Sequence, residues 1–186
     1  MQVDPSPEAL VGRSDLLNRL ERVLAERGRV VLTGAAGVGK TAIAAAAASR
    51  AERRGETVLS LVPEEADRQI PGAATATLLA AAPADLIAEL PEPQRLAVAI
   101  ALRQRPVPES GRDPIALRLA VVGVLRGLSA PAPALLVVDN AHWLDTESAA
   151  VLRFALHLAP APLRVILVEQ LHGTKERTPT PGQTPN

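Results

Sequence analysis

Gly34-Ala35-Ala36-Gly37-Val38-Gly39-Lys40-Thr41 follows the β-branched run Arg29-Val30-Val31-Leu32-Thr33 and precedes an alanine-rich stretch, Ala42–Ala48. The spacing is G-x-x-x-x-G-K-[ST], the phosphate-binding P-loop pattern. Glycines allow backbone angles that a Cβ would forbid. The loop's N–H groups can then turn inward and form an anion-binding nest. The helix that follows points its positive N-terminus at the same place. An ordinary Gly-rich turn needs neither the lysine nor these flanks. Here a short strand pattern leads in and a run of strong helix formers leads out, which is the context the motif requires. The expected phosphate contacts are Gly34, Ala35, Ala36, Gly37, Val38, Gly39, Lys40, Thr41 and Ala42. Lys40 is expected to reach the β and γ phosphates, and the Thr41 hydroxyl to hold Mg²⁺.

Outward from this loop, the pattern alternates strand and helix. Strands are expected at Arg29–Thr33, Thr57–Val62, Ala134–Asp139 and Leu163–Val168. Helices are expected between them, which implies a parallel α/β sheet. A first helix opens near Ser14 and sets Leu16, Leu17, Leu20, Val23 and Leu24 on one face. The P-loop helix runs to about Arg54. Pro63 to Pro71 reads as a charged loop whose Glu64, Glu65 and Asp67 form a solvated surface. Residues 72–105 read as helix broken at Pro83, Pro91 and Pro93. Residues 115–128 carry apolar side chains at 115, 119, 122 and 125, an amphipathic helix. Ala134-Leu135-Leu136-Val137-Val138 is a continuous apolar run, suited to a central strand covered on both faces. Residues 1–9 read as a flexible lead-in, 10–170 as one domain and 171–186 as a disordered tail.

Composition narrows the function. The chain has 186 residues, 47% of them apolar, with one Phe, one Trp and no Tyr. Its core is therefore built from aliphatic side chains, and aromatic platforms for single-stranded nucleic acid are missing. Formal net charge is zero, with no dominant basic block, so no direct nucleic-acid binding is expected. The absence of cysteine excludes disulfides and thiolate metal sites. No secretory pattern or membrane-spanning run is seen, so a cytoplasmic location is expected.

A P-loop site needs an acid at the end of a neighbouring apolar strand to hold Mg²⁺, and Asp139 fits that role. The next position usually carries an acid that orients the attacking water. Here it is Asn140, whose amide can hydrogen-bond water but is a poor proton acceptor. Asp145 or Thr146 caps the following helix. His142 and Trp143 read as structural residues, with Trp143 a packing anchor. The block after the strand, and the lack of an acceptor-site pattern, speak against a small-molecule kinase.

Val11-Gly12-Arg13, then Gly34…Lys40-Thr41, then Val137-Val138-Asp139-Asn140-Ala141-His142-Trp143-Leu144-Asp145 occur in a distinctive order. The chain resembles, from about Leu10 to Val168, the ATPase domain of large ATP-binding LuxR-type transcriptional regulators. Those belong to the STAND group of AAA-related P-loop ATPases. The resemblance implies a three-layer P-loop NTPase fold with sheet order 5-1-4-3-2. Only four strands are legible, so the expected order is 1-4-3-2, with the fifth missing and strand one at an open edge. It implies Val11, Gly12 and Arg13 near the adenine, with ATP and Mg²⁺ as cofactors. It also implies a γ-phosphate-sensing arginine after the fourth strand, where Glu169-Gln170 stand instead. The lid, sensor region and DNA-binding domain of the family are not found in the 186 residues, so an incomplete ATPase domain with weak turnover is expected. The alternative expectation is a non-catalytic module that self-associates or docks on a related full-length regulator.

Overall fold

The computed structural model describes residues 14–159 and 162–171. The lead-in, Val11-Gly12-Arg13 and residues 172–186 lie outside the described residues. In chain order the elements are α1 (Ser14–Arg27), β1 (Arg29–Gly34), α2 (Lys40–Arg53) and β2 (Thr57–Leu61). A 3₁₀ turn (Glu65–Gln69) leads to α3 (Ala73–Ala80), α4 (Ala84–Ala88), α5 (Glu92–Ala101) and α6 (Pro114–Ser129). Then come β3 (Ala134–Val138), a second 3₁₀ turn (Ala141–Trp143), α7 (Thr146–His157) and β4 (Leu163–Gln170).

The strands form one parallel four-stranded sheet in the order β1-β4-β3-β2. Among the described residues, β1 is an edge, as the four legible strands imply. β3 lies inside, and all five of its residues are buried. Strand geometry sends alternate side chains to opposite faces. Leu135 and Val137 join Ile166 and Val168 beneath α1 and α2. Ala134, Leu136 and Val138 join Leu59, Leu61, Leu163 and Val165 beneath α3, α5, α6 and α7. The result is a three-layer α/β/α sandwich, the doubly wound arrangement expected of an alternating chain.

Two helix faces differ from the expectation. Leu16 is 47% exposed. The core stripe of α1 is Leu17, Leu20 and Leu24, and Leu16 falls outside it. In α6, Ile115 is 61% exposed and Leu119 also faces solvent, whereas Leu117, Val121, Val124 and Leu128 are buried. That helix is apolar nearly all round, so its periodicity could not say which side met its neighbours. The charged segment after β2 is largely exposed, as expected, but is locally ordered. The Glu64 N–H donates to Asp67 Oδ2 at 3.0 Å and closes a capping box over the 3₁₀ turn.

An ionic chain fastens the α1–α2 layer to the sheet. Glu21 on α1 meets Arg50 at 2.7 Å and Arg54 at 3.0 Å. Arg54 meets Glu56 at 2.7 Å, and Glu56 meets Arg164 of β4. Partial burial works to raise the Glu21 carboxyl, but the hydrogen bonds and charges of Arg50 and Arg54 outweigh it and hold the pKa below the ordinary glutamate value.

Candidate nucleotide-binding site

The Gly34–Thr41 loop leaves the carboxyl end of β1 and turns directly into α2. Gly37 and Gly39 both have positive φ, 74° and 85°. A side chain at either would be strained, so the two glycines let the chain reverse into the helix. At Gly34 the constraint is space: a Cβ there would lie 3.2 Å from Val38 Cγ2. The residue before α2, Gly39, offers no side-chain cap, and the first turn of α2 holds no acidic residue. The helix therefore presents its first N–H groups without a built-in carboxylate competing for them. Ala35, Ala36, Gly37, Val38 and Thr41 are exposed, while Gly39, Lys40 and Ala42 are partly buried. The Lys40 ammonium donates to Gly34 O at 2.9 Å and to Ala35 O at 2.7 Å, which holds the cation over the loop.

Asp139 follows β3 and emerges at the same end of the sheet. Leu167 of β4 pairs with Val31 on one side and Val138 on the other. Asp139 is therefore level with Leu32, two residues before the loop begins. One strand intervenes, so the two backbones are about 10 Å apart. Asp139 is only 7% exposed. Its N–H donates to Leu61 O at 2.9 Å, and its Oδ1 accepts the Asn140 N–H at 2.8 Å. Its backbone is thus tied to β2 and its carboxylate is locally oriented. The tip of β4 lies between the two features: Glu169 pairs with Thr33 and Gln170 with Gly34. The positions where the resemblance implies an arginine thus stand beside the loop.

Asn140 adopts φ 48°, ψ 39°, the left-handed region, and starts the 3₁₀ turn. Asparagine enters that region more readily than most side chains. The His142 and Trp143 rings stack at a tilt, 4.7 Å apart, and the Arg68 guanidinium lies 5.9 Å over Trp143. Trp143 thus joins the two 3₁₀ turns, which accords with an anchoring role.

A buried polar cluster lies just beyond and was not read from the pattern. The Asp145 carboxylate accepts N–H groups from Ser148 at 2.9 Å, Gly72 at 2.8 Å and Ala74 at 3.4 Å. The Ser148 hydroxyl oxygen accepts the Thr75 N–H at 2.9 Å and lies 3.0 Å from Thr75 Oγ1. Burial works to raise the Asp145 carboxyl, but the hydrogen bonds from Ser148, Gly72 and Ala74 outweigh it. They hold it below the ordinary aspartate range. Only its N-cap role could be seen in advance, because the partners on α3 are more than seventy residues away in sequence.

A glycine-rich loop between β1 and a helix N-terminus, with an acid just after an inner strand of a parallel sheet, defines an α/β domain of the P-loop NTPase class. The chain belongs to the AAA ATPase domain family, whose model matches residues 9–168. Nucleotide binding is the property that membership brings. No curated protein matches the chain. Among solved structures it is similar to the ORC2 protein of Aeropyrum pernix in its ADPNP–ADP complexes. That superposition has a TM-score of 0.42 and 14% identity, and it covers 88% of this chain and 40% of the ORC2 chain. No helix among the described residues is long and apolar enough to cross a membrane.

Proposed function

We propose that this chain is the ATP- and Mg²⁺-binding module of a STAND-type signalling or transcriptional regulator of the LuxR class, with slow hydrolysis. The observation that carries the reading is the start of α2: an uncapped, acid-free helix N-terminus approached through two left-handed glycines, with the Lys40 ammonium held over the loop. In this reading, Gly34–Ala42 cradle the phosphates through backbone N–H groups, and Lys40 exchanges its two carbonyl partners for phosphate oxygens. The Thr41 hydroxyl and Asp139 carboxylate are hard oxygen donors, the type Mg²⁺ prefers, and they would hold the ion. Bound Mg²⁺ supplies charge neutralisation at the phosphates. Val11, Gly12 and Arg13 are assigned to the adenine by resemblance. Asn140 can position a water but not accept its proton, which is why slow turnover is proposed.

The test is thermal or calorimetric titration with ATP and ADP, with and without Mg²⁺. Ligand at a hundredfold excess over Kd should stabilise the native chain by about 2.7 kcal/mol. Lys40→Ala should remove most of that shift, and an unchanged shift in the variant would place the nucleotide elsewhere.

A second reading is a non-catalytic module that docks on a related chain. It is favoured by one observation, the 52% exposure of Val31 on the β1 edge. Nucleotide titration also separates these readings, since a pure docking module has no need of ATP.

A further inference from the structure

β1 is open on two sides. Its outer edge has no strand partner among the described residues. Its face toward α7 is uncovered as well, with Arg29, Val31 and Thr33 all exposed. These three pair with Val165, Leu167 and Glu169 of β4, and Val165 and Leu167 belong to the core on the α7 side. Between this face and α7 runs a groove with Leu152, Leu156 and Leu167 in its apolar wall.

The ladder fixes which backbone groups this edge offers. Gly28 O accepts from Val165 N–H at 2.8 Å, and Gly34 O from Leu171 N–H at 3.0 Å. In a parallel ladder of that phase, Gly28, Val30, Leu32 and Gly34 face β4, and Arg29, Val31 and Thr33 turn their N–H and C=O groups outward. The strand holds neither proline nor lysine, the residues that commonly guard an edge. The opposite edge offers less. Thr57 N–H donates to Pro133 O at 3.3 Å and Leu61 O accepts from Asp139 N–H, so β2 turns only Val58 and Ser60 outward.

The charges of the groove select the partner. Arg29 stands at its amino end, where the guanidinium donates to Leu156 O, a neutral acceptor, and has further N–H donors. Arg153 lies one turn before Leu156, toward the same end. Glu169 stands at the carboxyl end, level with Thr33. It is exposed and makes no ion pair among the described residues. A parallel copy of the strand would bring the two cationic ends together. An antiparallel copy sets each cationic end against the other's Glu169.

We propose that two copies of this chain pair antiparallel through β1, about a two-fold axis at Val31, and join their sheets into one. Val31 then exchanges both backbone hydrogen bonds with Val31 of the second copy, and Arg29 does so with the second copy's Thr33. Every outward N–H and C=O of the three residues is satisfied in that register. Thr33 is paired with Glu169 in its own copy, so each Arg29 comes within two strands of the opposite Glu169, about 10 Å between backbones. Extended arginine and glutamate side chains span that gap, and the symmetry makes the ion pair twice. The inference names the partner for the docking reading and rests on the same open edge. It does not require a non-catalytic chain.

The test is sedimentation of the full chain from about 1 μM to about 1 mM, with oxidative crosslinking of single-cysteine variants. The chain has no cysteine of its own, so each variant carries one thiol. The expected result is a reversible dimer. Val31→Cys should form a disulfide between copies, because the residues on the axis are about 5.5 Å apart at Cα, within disulfide reach. Thr33→Cys should not, because its two copies lie about 13 Å apart along the strands. Arg29→Glu and Glu169→Arg should each weaken the dimer about tenfold, and the double variant should regain it. Val31→Lys should give a monomer with the circular dichroism of the parent, since the side chain is exposed in the single copy. Lys40→Ala should leave dimerisation unchanged, so this inference and the nucleotide reading fail separately. A monomer at about 1 mM, equal crosslinking of the two thiols, or a double variant no better than the single ones would each overturn the proposal. A monomer whose Val31 amide exchanges fast would do so while leaving the edge open to a different chain, as the docking reading requires.

Discussion

Asn140 combines two demands that the sequence shows only one of. In the proposed reading its amide stands where an acid would serve turnover, and its backbone sits at φ 48°, where a long side chain is strained. Asn140→Glu is therefore expected to move two quantities in opposite directions. Stability should fall by about 1 kcal/mol, the penalty of a left-handed residue without asparagine's local hydrogen bonding. In a chain of this size that lowers Tm by about 2–4 °C. ATP turnover should rise more than ATP affinity, because a base acts on the transition state. Phosphate release and differential scanning calorimetry on the same preparation check both. Fast turnover in the unmutated chain would show that Asn140 is no handicap. A silent variant would point to Gln170, which pairs with Gly34 in the region where the resemblance implies an arginine.

At the scale of elements, Asp145 is the joint between α7 and α3. It caps its own helix and gathers the N–H groups of Gly72 and Ala74. Asp145→Asn loses the charge and at least one good acceptor, and is expected to cost about 2 kcal/mol at neutral pH. The carboxyl's pKa is depressed in the folded chain. Its contribution is therefore fully present above the unfolded value of about 3.9 and is lost as pH falls through the lower, folded value. Melting curves of the two proteins should differ above pH about 4 and converge below it. A gap that stays constant into that acid range would mean the carboxylate charge is not what holds the joint. The packing of α6 has a similar long-range origin. A Cβ on Gly123 would come 2.5 Å from Leu90 Cδ2, and one on Gly127 would come 2.8 Å from Leu86 Cδ2. Two glycines in a helix look like a loss of propensity in the sequence. In the fold they are where α4 and the turn after it press closest.

For the molecule as a whole, the sheet's asymmetry sets where it is firm. β3 is paired on both sides and buried throughout, whereas β1 is paired only with β4 among the described residues. The register resolves this edge residue by residue. Val165 N–H donates to Gly28 O at 2.8 Å and Leu171 N–H to Gly34 O at 3.0 Å. In a parallel ladder that phase turns Val30 and Leu32 toward β4 and leaves the N–H groups of Val31 and Thr33 at the edge. Hydrogen exchange should therefore be fast at Val31 and Thr33, slower at Val30 and Leu32, and slowest at Leu135 to Val138. Strong protection of Val31 in a monomer would mean that another part of the chain covers β1. Association that grows with concentration and protects Val31 would mark the edge as the contact.

The loop, the four strands and the position of Asp139 were legible in the sequence because each depends on neighbours in the chain. Glycines at fixed offsets permit one backbone path, and a continuous apolar run calls for cover on both faces. The class of fold followed from the alternation of these local signals. The orientation of α6 was not legible, because a helix that is apolar nearly all round has no preferred face until α5 and α7 meet it. The Asp145 cluster and the level at which Asp139 stands beside the loop depend on pairs far apart in sequence. Packing and strand register bring such groups together, and local patterns carry no record of them.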